Sequence, residues 1–484
     1  MQETSAEFRR LHPLTFVHYV FLAIIGFVLA WTTSPESGIQ RGSLIFSVIY
    51  VVIMGPISIA KYLRFRYYVT SEELVMHYGV FKRVRRNIPS DRVQNVAIER
   101  NFLSRILGTA VVKIETAGTA QAEGVLSYVG VHEANRIRDL LRTAETTHTA
   151  EESIPLSPDF RIRFPRLLLS SVYQFSFGLF AILVGTLQQL EAIGLINIEA
   201  TLRGILERNF FGPASSEQYS LVMLTIAFIL ITLILSWILG FAQYFIRYYN
   251  FYIELGPEKI HRKFGLITVR EGTLPYKRVQ SFLIRSNPLM RLHDWYRMEM
   301  QTLGLESGER GFQPAMPFAK WAEIVALGPK IRPFTAPEAY TRVSRRTIRR
   351  RCLRYTVFIL APVVALYAWW PYAVWGLTLL PIAWGIAWLQ YLCHSWSFHD
   401  GNLFIRRRIF SQQLWVVPIE RLQAFEINAT FFQRHLELCT LRVDTAGAGV
   451  LRHPKIVDIR RDDAEKLFTE LYDAFQGTAS KGDK

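Results

Sequence analysis

The chain has three cysteines in 484 residues, Cys352, Cys393 and Cys439. They are too few and too scattered for a disulfide framework or a zinc site, which leaves a reducing or membrane-embedded setting. Charge is also scarce: Asp, Glu, Lys and Arg supply 20% of residues against 50% hydrophobic. It is missing altogether from Leu14 to Trp31, Ser43 to Ala60, Leu167 to Leu190, Leu221 to Ile246 and Tyr355 to His399. The last run is too long for one membrane span. Ion-coupled transporters place ionisable residues at membrane depth, so these empty interiors argue against one. Their glutamines, Gln174, Gln188, Gln189, Gln243 and Gln390, suit interhelical hydrogen bonds. Catalytic motifs are absent too: there is no Walker loop, GxSxG, HExxH or Cys/His cluster. His394 and His399 stand five apart, which is not a favoured spacing on one helix face, and no third ligand is near. We expect no enzyme, no cofactor and no metal site.

What the chain does have is a threefold repeat, the feature to find before any other. Ile88-Pro-Ser-Asp-Arg-Val-Gln returns as Leu274-Pro-Tyr-Lys-Arg-Val-Gln and as Val417-Pro-Ile-Glu-Arg-Leu-Gln. Aligning Pro89, Pro275 and Pro418 aligns Arg92, Arg278 and Arg421 without a gap. It also aligns Gln94, Gln280 and Gln423, then Ile98, Ile284 and Ile427, then Arg105, Arg291 and Arg434. Thr116, Thr302 and Thr445 follow, each two residues before a glycine. From the arginine to the isoleucine, alternate residues share one face, the mark of a half-buried strand. Other strand-like runs surround it. Amphipathic helices close the first copy (His132 to Leu141) and the third (from Asp462), and Phe318 to Leu327 is a shorter candidate in the second. Several strands closed by one helix describe a small barrel or sandwich. Asp444 occupies a repeat position held by Glu115 and Gln301, so no catalytic acid is shared by the copies.

An Ile/Leu-Pro-x-x-Arg-Val-Gln motif behind a pair of apolar helices resembles the bacterial PH-domain family of membrane proteins of the YdbT type. The resemblance covers nearly the whole chain. It implies a membrane α + β fold: three transmembrane helix hairpins, each followed by a PH-like β-barrel with a C-terminal helix. The hairpins fall at 14–61, 165–246 (with a long outer loop) and 353–393, and the PH-like domains at 62–143, 247–328 and 394–476. The third copy departs from the pattern, with Arg408 where Gly79 and Gly265 stand, so its turn is expected to differ.

The formal net charge of +16 fits nucleic acid or an anionic membrane surface, and the apolar runs favour the membrane. Arginine and lysine crowd the flanks of the hairpins, above all from Arg342 to Arg354, while the loops between paired helices hold only Arg41, Arg203 and Arg208. The positive-inside rule then puts both termini and all three domains in the cytoplasm of a bacterial cell, at a multi-pass inner membrane. The repeated Arg92, Arg278, Arg421 and their glutamines and prolines are expected to brace their own domains. Contact with anionic lipid is expected from Lys82, Arg83, Arg85 and Arg86, and from Arg406, Arg407 and Arg408. His261, Arg262, Lys263 and Arg270 form the corresponding cluster of the second copy. The favoured reading is a membrane-anchored binding or scaffolding protein whose partners are membrane lipid or a membrane protein, not nucleic acid. A homo-oligomer stays open, and so does an accessory role in membrane transport or export.

Overall fold

A computed structural model describes residues 8–13, 52, 56–57, 59–116, 124–143, 158–192, 194, 196–206, 221–302, 312–445 and 453–482. The first expected hairpin, 14–61, lies almost entirely outside these residues. Elsewhere the chain is mixed α/β, with each repeat built from six strands in the same order. The first module holds β1 (Arg66–Val69), β2 (Glu73–Tyr78), β3 (Val84–Pro89), β4 (Val93–Arg100), β5 (Thr109–Thr116) and β6 (Gly124–Gly130). A short β7 (Phe160–Arg161) precedes the second module: β8 (Tyr252–Leu255), β9 (Lys259–Phe264), β10 (Val269–Pro275), β11 (Val279–Ser286), β12 (Trp295–Thr302) and β13 (Phe312–Lys320). A short β14 (Thr341–Arg342) precedes the third: β15 (Ser395–His399), β16 (Asn402–Arg407), β17 (Gln412–Pro418), β18 (Leu422–Asn428), β19 (Leu438–Thr445) and β20 (Lys455–Arg460).

The repeated motif divides each module in two. Pro89, Pro275 and Pro418 end β3, β10 and β17, and a 3-10 turn follows at Ser90–Arg92, Tyr276–Arg278 and Ile419–Arg421. The signature arginine therefore closes a turn and does not lie in the strand. A bulge comes next, at Val93/Asn95, Val279/Ser281 and Leu422/Ala424. It inserts one residue and shifts the period, so the expected unbroken face from arginine to isoleucine is interrupted. Val93, Val279 and Leu422 are themselves buried. The turn sends the chain into a second sheet, so the three strands before the motif do not pair with the three after it.

In the first module both sheets pack around one core that holds Leu74, Ile88, Val96, Val112, Ile114 and Leu126. A helix closes each core through its apolar stripe. Val131–Thr143 supplies Ala134, Ile137 and Leu141, and Arg461–Gly482 supplies Ala464, Leu467 and Leu471. In the second module the helix is Trp321–Ile331, and Phe318 lies in β13 ahead of it, later than the sequence pattern suggests.

The sheets do not close within a module. They run on into the next one. One seven-stranded sheet has the order β6-β5-β4-β10-β9-β8-β7, the other β13-β12-β11-β17-β16-β15-β14. The two joints use the same register. Glu99 faces Arg270 in the first, and Arg285 faces Gln413 in the second, which are equivalent repeat positions. At the second joint the sheet is buried on both faces. Leu414 and Val416 enter the core of the second module, while Trp415 and Val417 enter that of the third. A continuous apolar run such as Leu414-Trp415-Val416-Val417 suits this two-sided burial.

The short strands have a further effect. The segment before each helix pair adds to the first strand of the module after it: β7 to β8, β14 to β15, and Arg9 by a bridge to Tyr67. Both ends of each intervening segment are thus held at the same module. In the second copy that segment contains helices Phe164–Val172, Phe177–Ala192, Ile198–Leu206 and Leu221–Tyr248. The expected arm Leu167 to Leu190 is broken at Tyr173, where the helix stops and restarts. Helix Leu221–Tyr248 covers the break: Trp237 Nε1 donates to the Val172 carbonyl at 2.9 Å and Ser236 Oγ to that of Ser176 at 3.0 Å. Such partners are what make a broken helix tolerable away from water. In the third copy helix Arg346–Tyr367 packs against Leu379–Leu392, with Trp384 Nε1 donating to Thr356 Oγ1. Met223–Tyr248 and Pro371–Leu392 are long and apolar enough to cross a membrane.

The turn between the second and third strand of each module needs a positive φ. It is 103° at Gly79, 111° at Gly265 and 71° at Arg408, so the third turn does differ and admits a side chain. A Cβ at Gly265 would lie 2.0 Å from the Thr268 carbonyl oxygen. We predict that Gly265→Ala lowers the stability of the second module by about 1–3 kcal/mol, the usual cost of a forced backbone. Thermal unfolding of the purified chain measures it, and an unchanged midpoint would contradict this turn geometry.

Candidate anion-binding pocket

Strand alternation splits the Arg406-Arg407-Arg408 run. Arg406 points to one face, where its guanidinium lies 5.8 Å from the Tyr340 ring centre, near Asp294, Tyr296 and Trp321. Arg407 and Arg408 line a cavity of about 450 Å³ on another side. Helix Arg346–Tyr367 supplies Arg350, Arg351, Arg354 and Tyr355 to that cavity, the end of helix Leu379–Leu392 supplies Gln390, and His394 follows it. Phe410, at the hairpin tip, completes the rim. Sequence reasoning found Arg407 and Arg408 by their charge. It did not bring them to Arg350 and His394, because that meeting depends on how the helix pair docks on the hairpin.

The pocket is electrostatically crowded. Five guanidiniums line it. Asp458, fully buried in β20, offsets part of the charge, accepting from Arg350 Nη2 at 2.8 Å, with Arg351 Nε at 3.9 Å. Gln433 Nε2 donates to its other oxygen at 2.9 Å. Burial, with Arg408 alongside, pulls Arg407 down to about 10. Burial first, and then Arg351 and Arg407, holds His394 down at about 3, so its ring is neutral at physiological pH. Its Nδ1 faces Arg351 Nη2 at 3.3 Å. Arg350 Nε, Arg407 Nε and His394 Nε2 are buried without a hydrogen-bond partner. Buried polar atoms left in this way mark a place where an acceptor is wanted.

A second groove of about 650 Å³ shares Arg350 and Arg354 with the pocket. Its walls are apolar: Leu353, Val357, Phe358, Phe431, Phe432 and Leu436. Phe431 and Phe432 project from the short helix Phe431–His435 and are exposed. Neither charge nor motif in the sequence marks them, nor Phe81, Ile267 and Phe410, exposed apolar residues at one repeat position, on each hairpin tip. Their recurrence at a turn, where polar residues are usual, was the available signal.

The other predicted residues do not line this pocket. Lys82, Arg83, Arg85 and Arg86 are exposed along the first hairpin. In the second module His261 and Lys263, with Arg138 from the first, surround Glu271. Among the signature residues Arg278 is buried and Arg92 is exposed. Gln280 is buried and donates to the Arg278 carbonyl at 3.2 Å, whereas Gln423 is exposed.

The bacterial PH domain family matches residues 16–145, 192–327 and 352–475, and the chain belongs to that family. It is also 21% identical to a Bacillus subtilis (strain 168) protein named "UPF0699 transmembrane protein YdbT", over 95% of this chain and 97% of that one.

The pocket predicts a pH dependence. The folded-state value of His394 lies below its ordinary value near 6.5, so its contribution is fully present above about pH 6.5. It is lost as pH falls from there toward about 3. His394→Gln should flatten the fall in unfolding midpoint between pH 6.5 and 4. An equally steep fall in the variant would contradict a buried neutral imidazole.

Proposed function

We propose that the protein is a multi-pass membrane protein that holds three PH-like modules at the inner leaflet, and that its third module binds an anionic phosphate-bearing lipid. The helix pairs are transmembrane hairpins in this reading. The observation that carries it is the juxtaposition at the end of the third pair. An arginine pocket with unpartnered buried donors opens beside an apolar groove that shares two of its arginines. A phosphate headgroup suits the first and acyl chain the second, since guanidinium pairs with phosphate oxygens through paired N–H donors. The exposed phenylalanines at the hairpin tip and short helix suit the headgroup boundary. The module is tethered there, so a weak intrinsic affinity suffices.

The test uses the full chain in nanodiscs, because β11 of the second module completes the sheet of the third. Native mass spectrometry after extraction should find anionic phospholipid retained in preference to zwitterionic lipid. The double variant Arg407→Gln/Arg408→Gln should lower that retention roughly tenfold or more, at about 1 kcal/mol for each basic residue near an anionic leaflet. Equal retention by the variant, or no preference in the parent, points away from lipid and toward a protein ligand.

Topology is tested separately. A cytoplasmic reporter fused after Lys484 or inserted near Thr147 should be active, and so should a periplasmic reporter at Gln40 or Ser215. Activity of a periplasmic reporter at the C-terminus would overturn the orientation.

A further inference from the structure

The joint between modules is used twice among the described residues, and the equivalent edges of the first and third modules have no strand beside them there. Among the described residues β3 pairs with β2 alone, although its equivalents β10 and β17 pair on both edges. Likewise β18 pairs with β19 alone, although β4 and β11 pair on both edges. Burial follows this difference. β11 is buried along nearly all its length, while Gln423, Ala424, Glu426 and Asn428 of β18 are exposed. β17 is buried throughout, while Arg85, Arg86 and Asn87 of β3 are exposed.

A second observation comes from the repeated arginine. At the first joint Arg105 Nη1 donates to the Leu266 carbonyl of the next module at 2.5 Å. At the second, Arg291 Nη2 donates to the Ile409 carbonyl at 2.7 Å. Leu266 and Ile409 are equivalent hairpin positions. Arg434, the third arginine of the set, has no hydrogen bond or ion pair from its side chain among the described residues. The repeat assigns its acceptor as the carbonyl of Val80, in the first module. That oxygen takes Arg64 Nη1 at 3.0 Å and keeps a second lone pair.

From these we infer that copies of this chain associate head to tail, β18 of one pairing antiparallel with β3 of another. The inference is independent of the lipid reading. The register follows from the two existing joints. Arg285 faces Gln413 and Glu99 faces Arg270, so Asn428 faces Val84. The next position sets Ile427 against Arg85, and the one after sets Glu426 against Arg86. Edge strands that merely avoid pairing carry charges that repel a partner. Here one facing pair, Glu426 and Arg86, is of opposite charge, with Arg442 of the same module also beside Glu426 at 3.7 Å. The buried pair Leu283 and Trp415 of the internal joint is replaced by Glu426 and Arg86, so this third joint is more polar and weaker than the internal two. Such a contact is heterologous and propagates from copy to copy, closing into a ring where the rotation permits.

The test is cross-linking between differently tagged full-length copies in native membranes, with the three native cysteines replaced by alanine. One copy carries Val84→Cys and the other Asn428→Cys. Oxidation should yield a linked pair containing both tags, and neither variant alone should link. A second measurement needs no engineered cysteine. Native mass spectrometry of the unmodified chain in nanodiscs should show multimers that weaken with salt. Arg434→Ala should reduce them about tenfold, the loss of one charge-assisted hydrogen bond. Because Arg434 is exposed and its side chain makes no hydrogen bond or ion pair within its own copy among the described residues, its removal should leave the thermal midpoint unchanged. Monomers alone by mass together with no mixed cross-link would overturn the proposal. So would a link formed only when both cysteines sit in one chain, or association only with a different protein.

Discussion

Strand pairing across module boundaries is the constraint on which the rest of this structure depends. β4 and β11 each have one neighbour in their own module and one in the next. Their N–H and C=O groups are satisfied on both edges, which a buried strand requires. The side chains then fill two cores at once: Leu283 of the second module sits in the core of the third, and Phe404 of the third sits in that of the second. Arg105 and Arg291 latch each joint from the side. Modules joined in this way cannot turn independently, so the position of one fixes the next. The short strands β7 and β14 carry the same constraint to the helix pairs, because each segment leaves and returns at one module.

On this common frame the three modules have diverged chemically. The basic residues of the second copy are answered by Glu271. Those of the first lie along an exposed hairpin. In the third, three arginines of the helix pair meet two of the hairpin around a cavity that has a buried carboxylate, Asp458, behind it. Arg351 is buried and Arg350 and Arg407 are half-buried, so this like charge is costly unless it is paired, and Asp458 offsets only part of it. Burial first, and then the neighbouring Arg351 and Arg407, keep His394 neutral beside these unpartnered donors. Among the described residues the architecture repeats while the charged surroundings of equivalent positions differ from module to module.

Much of the architecture was legible in the sequence because it rests on short-range signals. Proline at fixed offsets marked the repeat, though not the turn that follows it, and helical spacing of Ile137 and Leu141, or of Leu467 and Leu471, marked the closing helices. The bulge after Val93, Val279 and Leu422 was not legible, since one inserted residue leaves no composition signal. The break at Tyr173 was hidden because no proline or glycine announces it; serines and a tryptophan from another helix make it stable. The apolar run from Leu414 to Val417 was an unused local signal of a strand buried on both faces, and nothing local says which strand lies beside it. The pocket was half visible. Period two should have separated Arg406 from Arg407, whereas the approach of Arg350 and His394 is long-range and appears only in the fold.

Hydrogen exchange on the full chain in nanodiscs tests the continuous sheets most directly. If β10 and β17 are inner strands of seven-stranded sheets, amides in Val269–Pro275 and Gln412–Pro418 exchange as slowly as those of β5 and β12, which are flanked on both sides within their own modules. Exchange in β10 and β17 much faster than in β5 and β12 would mean that the modules are separate bodies and would contradict the account.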